Sequence, residues 1–209
     1  MITLSNQTRH CKICFEEIKD YSLYNFISNK NNICEKCFSK FKPKFIHFNI
    51  GAIPGLSIYE YDQNIKDLLF KFKGCYDIEL KDVFFPRYLS YLKIRYWGYV
   101  IVPLPSFEMD DKKRGFNHVY EIYSRLEKPI YNIIKKTKNV KQANLKRKDR
   151  LAAIKHFEIT DSKILKDKKV LIVDDVYTTG SSVNAAITLI KQGKPKKIAV
   201  LVIAKNMLK

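Results

Sequence analysis

The chain has 209 residues, of which 39 are lysine or arginine and 21 are aspartate or glutamate, so its formal net charge is +18. Hydrophobic residues make up 46% of the sequence and aromatic residues 13%, which excludes an intrinsically disordered chain. No apolar stretch approaches the ~18 residues of a membrane-spanning helix, and the first residues lack the apolar core of a secretion signal. These features predict a soluble, cytoplasmic protein with no transmembrane segment.

The positive charge has two explanations at this stage. Lysine provides 32 of the 39 basic residues, and AT-rich codons alone would enrich lysine without any binding partner. Alternatively, lysine and arginine bind nucleic acids, because they release counterions from phosphates. Residues 112–169 hold 18 basic and 6 acidic residues, and this clustering favours a ligand that carries phosphates. The sign of the charge does not separate the phosphates of a nucleotide from those of a nucleic acid strand. The candidate residues for contacts with a DNA strand are Lys135, Lys136, Lys138, Lys141, Lys146, Arg147, Lys148 and Arg150.

Four cysteines near the start of the chain form two Cys-x-x-Cys pairs. Cys11 and Cys14 are separated from Cys34 and Cys37 by 19 residues, a spacing typical of four-cysteine zinc sites. Disulfide bonds are the alternative, but a reducing cytosol disfavours them, and no thioredoxin-like context supports a redox pair. We therefore predict a closed, structural Zn²⁺ site in a zinc-finger module that, with its linker, spans residues 1–50.

The remaining residues, 51–209, are predicted to form a second domain in which strands and helices alternate. The Pro and Gly residues of 51–55 indicate a hinge between the two parts. Asp62 is expected to cap a helix that carries the apolar residues Ile65, Leu68, Leu69 and Phe72. The other predicted elements are strands over 57–61, 99–102, 170–173 and 198–203, helices over 76–95, 117–126 and 182–192, and a polar loop over 106–116. Such alternation predicts an α/β fold built on a parallel sheet.

The strand over 170–173 leads into Asp174 and Asp175, and then into a hydroxyl-rich turn with one glycine. The residues of this turn are Thr178, Thr179, Gly180, Ser181 and Ser182. A turn of this kind before a helix directs backbone N–H groups and hydroxyls at a phosphate. Two carboxylates beside it suit the vicinal hydroxyls of a ribose. The alternative is that the two acids cap the turn and the remaining residues only start a helix.

This segment resembles the fingerprint of type I phosphoribosyltransferases, which bind phosphoribosyl pyrophosphate (PRPP). The residues 102–105 (Val-Pro-Leu-Pro) and 114–117 (Arg-Gly-Phe-Asn) resemble the ComF family of competence proteins, as does the four-cysteine finger. Gln142, Leu145, Arg150 and Phe157 extend this resemblance. Ala153 and His156 depart from the family pattern, which weakens any role assigned to residues 150–157.

The resemblance implies a type I phosphoribosyltransferase-like fold behind the zinc finger, and a PRPP site with Mg²⁺. Pro103 and Leu104 would belong to the pyrophosphate loop, and Lys112, Lys113 and Arg114 to a mobile loop that closes over the pyrophosphate. Asp174 and Asp175 would bind the ribose and metal-bound water, and Thr178 to Ser182 the 5-phosphate. The partners that the family implies are single-stranded DNA and a competence helicase or the DNA-uptake channel at the inner membrane.

Three functions fit these features. The first is binding of PRPP and single-stranded DNA in support of DNA uptake during natural transformation. The second is an active phosphoribosyltransferase of nucleotide or amine metabolism, and the third is a regulatory module that senses PRPP. No segment that would bind the attacking nucleophile stands out in the sequence, so no catalytic residue is assigned. His47, His118 and His156 are expected to be surface or packing residues rather than general bases. For His118, which directly follows Asn117 at the start of a predicted helix, a position facing the ligand is the alternative.

Overall fold

The computed structural model of the protein describes residues 9–18, 33–85, 87–106, 108–136 and 157–207. Its helices are α1 (Glu35–Lys40), α2 (Gln63–Gly74), α3 (Leu89–Arg95), α4 (Glu108–Arg114), α5 (His118–Ser124) and α6 (Ser181–Lys191). Its strands are β1 (Ile46–Ile50), β2 (Ile53–Glu60), β3 (Tyr99–Pro103), β4 (Ile134–Lys136), β5 (Phe157–Ile159), β6 (Lys169–Tyr177) and β7 (Lys197–Lys205). Two short 3₁₀ helices cover Ile78–Val83 and Lys163–Leu165.

A five-stranded sheet with the strand order β1-β2-β7-β6-β3 forms the centre of the fold. Strands β2, β7, β6 and β3 are parallel, and β1 is added antiparallel to β2. Alternate residues of β6 enter two different hydrophobic clusters: Leu171 and Val173 enter one, and Val170 and Ile172 the other. Because successive side chains of a strand point to opposite faces, the sheet is covered on both sides. The predicted α/β fold with a mostly parallel sheet is confirmed.

Local signals placed several elements correctly. Asp62 accepts a hydrogen bond from the Ile65 backbone N–H and so caps α2, whose predicted apolar residues are all buried. The paired strands β6 and β7 include the predicted runs 170–173 and 198–203. All residues of these two runs are buried, as a parallel strand that is covered on both faces requires.

Three predicted elements are wrong. Residues 51–55 do not form a hinge: Gly51, with φ of +59°, turns the chain between β1 and β2, and the rest of the segment starts β2. The single helix over 76–95 is replaced by a 3₁₀ helix and α3, since the proline between them in the sequence cannot continue a helix. The polar loop over 106–116 contains α4, whose glutamate, methionine, lysine and arginine residues all favour helix.

The described part of the four-cysteine module packs directly on the second domain. Cys11, Cys37 and Phe41 belong to the same hydrophobic cluster as the core residues of α2. Lys12 Nζ lies 2.8 Å from Glu79 Oε2 and 2.9 Å from Asp82 Oδ2, across the boundary between the two parts. The first strand of the sheet, β1, lies within the residues predicted as finger and linker. Finger and sheet therefore share one core.

In the part of the chain that the structure describes, every helix is too short or too polar to cross a lipid bilayer.

Candidate functional site

Two adjacent carboxylates lie towards the carboxyl end of β6, the sheet edge where ligands bind in open parallel sheets. Asp175 has the most partners: its Oδ2 lies 2.5 Å from Lys73 Nζ of α2 and 3.2 Å from His118 Nε2 of α5. Its Oδ1 accepts a hydrogen bond of 2.6 Å from the Val176 backbone N–H. Asp174 Oδ1 accepts only from the Asp175 backbone N–H, at 2.9 Å, among the contacts that the described residues show. The two acids therefore have different surroundings.

These surroundings move the two pKa values apart. Burial alone would raise the pKa of Asp175, but the His118 hydrogen bond and the positive charge of Lys73 outweigh it and hold that pKa well below its ordinary value. Burial and the negative charge of Asp175 raise the pKa of Asp174 well above its ordinary value. One acid is thus held ionised, while the folded protein binds a proton more tightly at the other.

The neighbour Arg114 selects one tautomer of the His118 ring. Arg114 Nη1 lies 3.0 Å from His118 Nδ1, and because a guanidinium can only donate, Nδ1 must be the acceptor. The ring proton of the neutral imidazole is then on Nε2, from where it is donated to Asp175. Arg114 also contacts Asp111 Oδ1 at 2.9 Å and the Lys73 carbonyl oxygen at 3.0 Å. These contacts fix His118 and Lys73 against the acid.

Arg114 was predicted to contact pyrophosphate from a mobile loop. In the structure its side chain is 8% exposed, and its guanidinium makes the internal contacts just described. Lys112 and Lys113 lie on the same helix, α4, and both are exposed. Neither lysine lines the pocket that contains the acids.

The loop after β3 is fixed by backbone and side-chain contacts. The Leu104 N–H, predicted to meet pyrophosphate, donates to the Val173 carbonyl oxygen at 2.9 Å, and Pro103 is the last residue of β3. Asn117 Nδ2 donates to Asp111 Oδ2 at 2.8 Å and to Ser106 Oγ at 3.2 Å. The loop is thereby attached to α4 and α5, and the Leu104 N–H already has a hydrogen-bond acceptor within the protein.

The predicted phosphate loop leads into α6. Gly180 has φ of +74°, in the left-handed region that glycine adopts without steric cost, and a Cβ there would lie 2.3 Å from the Tyr177 hydroxyl oxygen. Thr179 Oγ1 and Ser181 Oγ lie 2.9 Å apart at the exposed surface. The hydroxyls and the positive end of the α6 dipole are thus grouped where an anion can bind.

The acids and the start of α6 face a common pocket of about 290 Å³. Its lining brings together elements from across the sequence: Lys73, Leu104, Pro105, Ser106, His118, Val119, Lys136, Phe157, Asp174, Asp175, Val176 and Ser182. The two lysines of this lining are Lys73 of α2 and Lys136 of β4. The pocket therefore combines carboxylates for a metal or hydroxyl ligand with cations and a helix terminus for phosphates.

The predicted DNA-contact residues are mostly not described. Lys135 is exposed on β4, and Lys136 lines the pocket. The others, Lys138, Lys141, Lys146, Arg147, Lys148 and Arg150, lie outside the described residues.

The four cysteines of the finger meet in one cluster. Their Sγ atoms all lie within 4.8 Å of one another, and the distance from Cys14 Sγ to Cys34 Sγ is 3.7 Å. Four thiolates at 2.3 Å from a tetrahedral Zn²⁺ would stand about 3.8 Å apart, so the four side chains fit a zinc ion. Burial opposes ionisation of Cys11, but hydrogen bonds from the backbone of Cys34, Cys14 and Ile13 lower its pKa to about 7. That thiolate is the form that binds zinc.

The comparisons with known proteins agree with these features. Residues 112–208 match the family model of the phosphoribosyl transferase domain. The chain is 28% identical over 146 residues to the competence protein ComFC of Bacillus subtilis, which covers 68% of this chain and 60% of that protein. It is 28% identical over 142 residues to ComFC of Streptococcus pneumoniae, which covers 68% of this chain and 64% of that protein. The chain is ComFC-like.

The ComFC-like chain spans less than two thirds of the length of these two relatives. Among solved structures, adenine phosphoribosyltransferase from Saccharomyces cerevisiae is 19% identical with a TM-score of 0.40, and the match covers 81% of this chain and 88% of that one. The match to the domain family and the mostly parallel sheet confirm the predicted phosphoribosyltransferase-like fold, and the cysteine cluster confirms the module that precedes it.

One residue of the site, Lys73, was not predicted from the sequence. It lies at the end of α2, 102 residues before its partner Asp175, and nothing in its local sequence distinguishes it from other lysines. His118 was expected at the surface or in packing rather than as a general base, with a second interpretation, from its position after Asn117, in which it faces the ligand. It is 7% exposed and contacts Asp175, and Asn117 is the N-cap of α5.

Proposed function

We propose that the pocket at the carboxyl end of β6 binds PRPP with Mg²⁺, and that the protein also binds single-stranded DNA in support of DNA uptake. The observation that carries the first part is the convergence of the acid pair, two lysines and Ser182, the last residue of the Thr178–Ser182 loop, on one pocket. The second part is supported by the net charge of +18 and by the names of the relatives, which are competence proteins.

The surroundings of the acids assign them different tasks. Asp175 is ionised and already accepts from Lys73 and His118, so it suits a ribose hydroxyl, which can donate to a carboxylate oxygen. Asp174 has a carboxyl oxygen that faces the pocket with fewer partners. Carboxylate oxygens are ligands that Mg²⁺ and its bound waters prefer, so the donor set fits this ion. The bound metal supplies charge neutralisation for the pyrophosphate.

The phosphates of the ligand would meet positive charge on two sides. Thr178 to Ser182 and the start of α6 would hold the 5-phosphate through hydroxyls and backbone N–H groups. Lys73 and Lys136, which line the pocket, are better placed for the pyrophosphate than the internally bonded Arg114. Lys112 and Lys113 remain predictions for a closed, ligand-bound state.

Calorimetric titration with PRPP and Mg²⁺ tests this assignment. We expect binding by the native chain and none by the double variant Asp174→Ala/Asp175→Ala. Asp67→Ala is the matched control, since it removes an exposed carboxylate from α2, outside the pocket. Unchanged PRPP affinity in the double variant would remove the central assignment.

An active phosphoribosyltransferase is the second candidate, and the pocket wall supports it. Phe157 and Val119 add apolar surface beside the acids, and an aromatic ring there could stack on a flat nitrogen base. Magnesium-dependent release of pyrophosphate should then be seen with at least one member of a panel of bases and amines. PRPP binding without release across that panel would leave binding as the function.

A further inference from the structure

The sheet has a second charged edge, at the amino ends of its parallel strands. Two segments meet there: residues 161–169, which lead into β6, and residues 191–197, which lead into β7. Together they contain eight lysines and two aspartates, a net of +6 from 16 residues in a chain whose total is +18. The lysines of this amino edge are Lys163, Lys166, Lys168, Lys169, Lys191, Lys194, Lys196 and Lys197.

Backbone contacts hold the two segments together. Lys169 pairs with Lys197 in the register of β6 and β7, and the Lys196 N–H donates to the Lys168 carbonyl oxygen at 2.9 Å. Gly193 approaches the first segment so closely that a Cβ there would lie 2.0 Å from the Ser162 carbonyl oxygen. Segments that lie far apart in the sequence are thus packed into one surface by the fold.

The lysines of this edge form no ion pair within the described part of the chain. Lysines elsewhere, such as Lys12, Lys44 and Lys81, form ion pairs with carboxylates. None of the eight lysines of the amino edge forms an ion pair with a carboxylate of the described residues. Codon bias would make lysines frequent throughout the chain, but it would not gather eight of them at one edge of the sheet.

An exposed aromatic residue precedes the strand that begins at this edge. Trp97 is 80% exposed and lies two residues before the start of β3. The first residue of that strand, Tyr99, pairs with Lys169, whose Nζ lies 5.9 Å from the centre of the Tyr99 ring. The amino end of β3 thus brings an exposed indole to the same edge of the sheet as the lysines, and bases of single strands stack on aromatic rings while lysines bind phosphates.

We infer that the amino edge, with Trp97, is the surface on which this protein binds single-stranded DNA. The inference rests on the DNA-binding part of the proposed function and gives it a location different from residues 135–150. Asp175 follows Lys169 by six residues, so the amino edge and the PRPP pocket lie about 20 Å apart along β6 at 3.3 Å per residue. The two ligands therefore bind at opposite ends of the same strands.

Single-stranded DNA fits this edge better than an anionic membrane surface. Peripheral membrane binding relies on a helix whose apolar face enters the lipid. The helical residues of the amino edge are the three-residue 3₁₀ helix Lys163–Leu165, whose Leu165 is fully buried, and Lys191, the last residue of α6. Of the eight lysines, Lys169 and Lys197 begin strands and the other six lie in the segments that precede these strands.

Trp97 is the single tryptophan of the chain, so its fluorescence reports directly on this surface. Titration with oligo(dT) of about 15 nucleotides, a length within the range of single-strand sites, should quench the emission. Trp97→Ala should weaken binding about fivefold or more, as expected for loss of one stacked base. Binding without any change in emission would count against the role of Trp97.

Two charge-matched variants locate the phosphate contacts. The first replaces Lys166, Lys168, Lys196 and Lys197 with glutamine; the second replaces the exposed lysines Lys36, Lys40, Lys66 and Lys71 of α1 and α2 with glutamine. In the first variant, the slope of the logarithm of oligo(dT) affinity against the logarithm of salt concentration should become less negative. The expected change is about 0.7 for each phosphate that no longer contacts a lysine. The slope should stay near the native one in the second variant. PRPP affinity should be native in both, which confirms that both are folded.

The results distinguish failure of the proposed DNA binding from failure of its proposed location at the amino edge. No oligo(dT) binding by the native chain overturns the DNA part of the proposed function. Native binding that falls equally in both four-lysine variants overturns the amino edge as the site while leaving DNA binding intact. Binding to anionic vesicles that is lost in the edge variant, without oligo(dT) binding, would assign the surface to membranes instead.

Discussion

Replacing Asp174 with asparagine is expected to make the protein progressively more stable relative to the native chain as the pH rises, although Asp174 is one of the two acids proposed to hold the ligand. Burial and the charge of Asp175 raise the pKa of Asp174 in the folded state. The stability that such a group contributes is fully present below the unfolded pKa of about 3.9 and is lost as the pH rises towards the folded pKa. Asparagine keeps the shape of the protonated acid and does not titrate.

The size of the pH dependence follows from the difference between the numbers of protons bound by the folded and the unfolded chain. A single group that is protonated in the folded chain and ionised in the unfolded chain changes the free energy of unfolding by about 1.4 kcal/mol per pH unit. The difference between Asp174→Asn and the native chain should therefore grow with this slope above about pH 4, until the raised pKa is reached. The Asp175 N–H, at 2.9 Å from Asp174 Oδ1, keeps an acceptor in the variant. Any cost of the new amide is the same at every pH and leaves the slope unchanged.

Urea unfolding in steps of about one pH unit, from about pH 5 to about pH 8 and with zinc present, measures this slope. Asp175→Asn is the matched control with the opposite sign, because Lys73 and His118 lower the pKa of Asp175. Its stabilising contribution is present above the unfolded pKa of about 3.9 and is lost only as the pH falls below it, so that variant should be less stable than native by the same amount from about pH 5 to about pH 8. A pH-independent difference for Asp174→Asn would refute the assigned protonation.

Three further predictions concern stability. Cys37→Ser should abolish stoichiometric zinc, measured by elemental analysis, and lower the free energy of unfolding by more than about 3 kcal/mol, because Cys37 belongs to both the metal cluster and the shared core. Gly193→Ala should cost about 1–3 kcal/mol in urea unfolding, since its Cβ would meet the Ser162 carbonyl oxygen at 2.0 Å. Lys194 has φ of +51°, a conformation that glycine adopts at lower cost, so Lys194→Gly should raise the free energy of unfolding by up to about 1 kcal/mol. The same variant should bind oligo(dT) more weakly because it loses one positive charge. Unchanged affinity would place Lys194 outside the DNA-binding surface.

The features that sequence reasoning placed correctly depend on residues close together in the chain. The Asp62 cap of α2 involves residues three apart, and the turn over 178–180 lies between β6 and α6 in a single strand-turn-helix unit, as predicted. In each case the residues that interact are also the residues that form the pattern. The four-cysteine site joins residues that lie further apart in the chain. Each of its Cys-x-x-Cys pairs is nonetheless local, and the spacing between the two pairs is typical of zinc sites.

The errors arise where distant residues decide the outcome. Gly and Pro at 51–55 indicate a change of direction, and only the pairing of β1 with β2 distinguishes a hairpin from a hinge. Lys73 and His118 reach Asp175 from 102 and 57 residues away, a proximity that only the packing of α2 and α5 on the sheet creates. The family resemblance assigned Arg114 to a mobile loop over the pyrophosphate, whereas its burial and its contact with His118 give it a positioning role.

The separation of the two charged edges determines how the proposed ligands can influence each other. About 20 Å lies between the acid pair and the amino edge along β6, more than twice the screening length of about 8 Å at physiological salt. Direct repulsion between bound PRPP and bound DNA is therefore weak. If PRPP changes the affinity for oligo(dT), the change has to pass through the structure that joins the sites, and β6, which carries Lys169 at one end and Asp175 towards the other, is the element that contacts both.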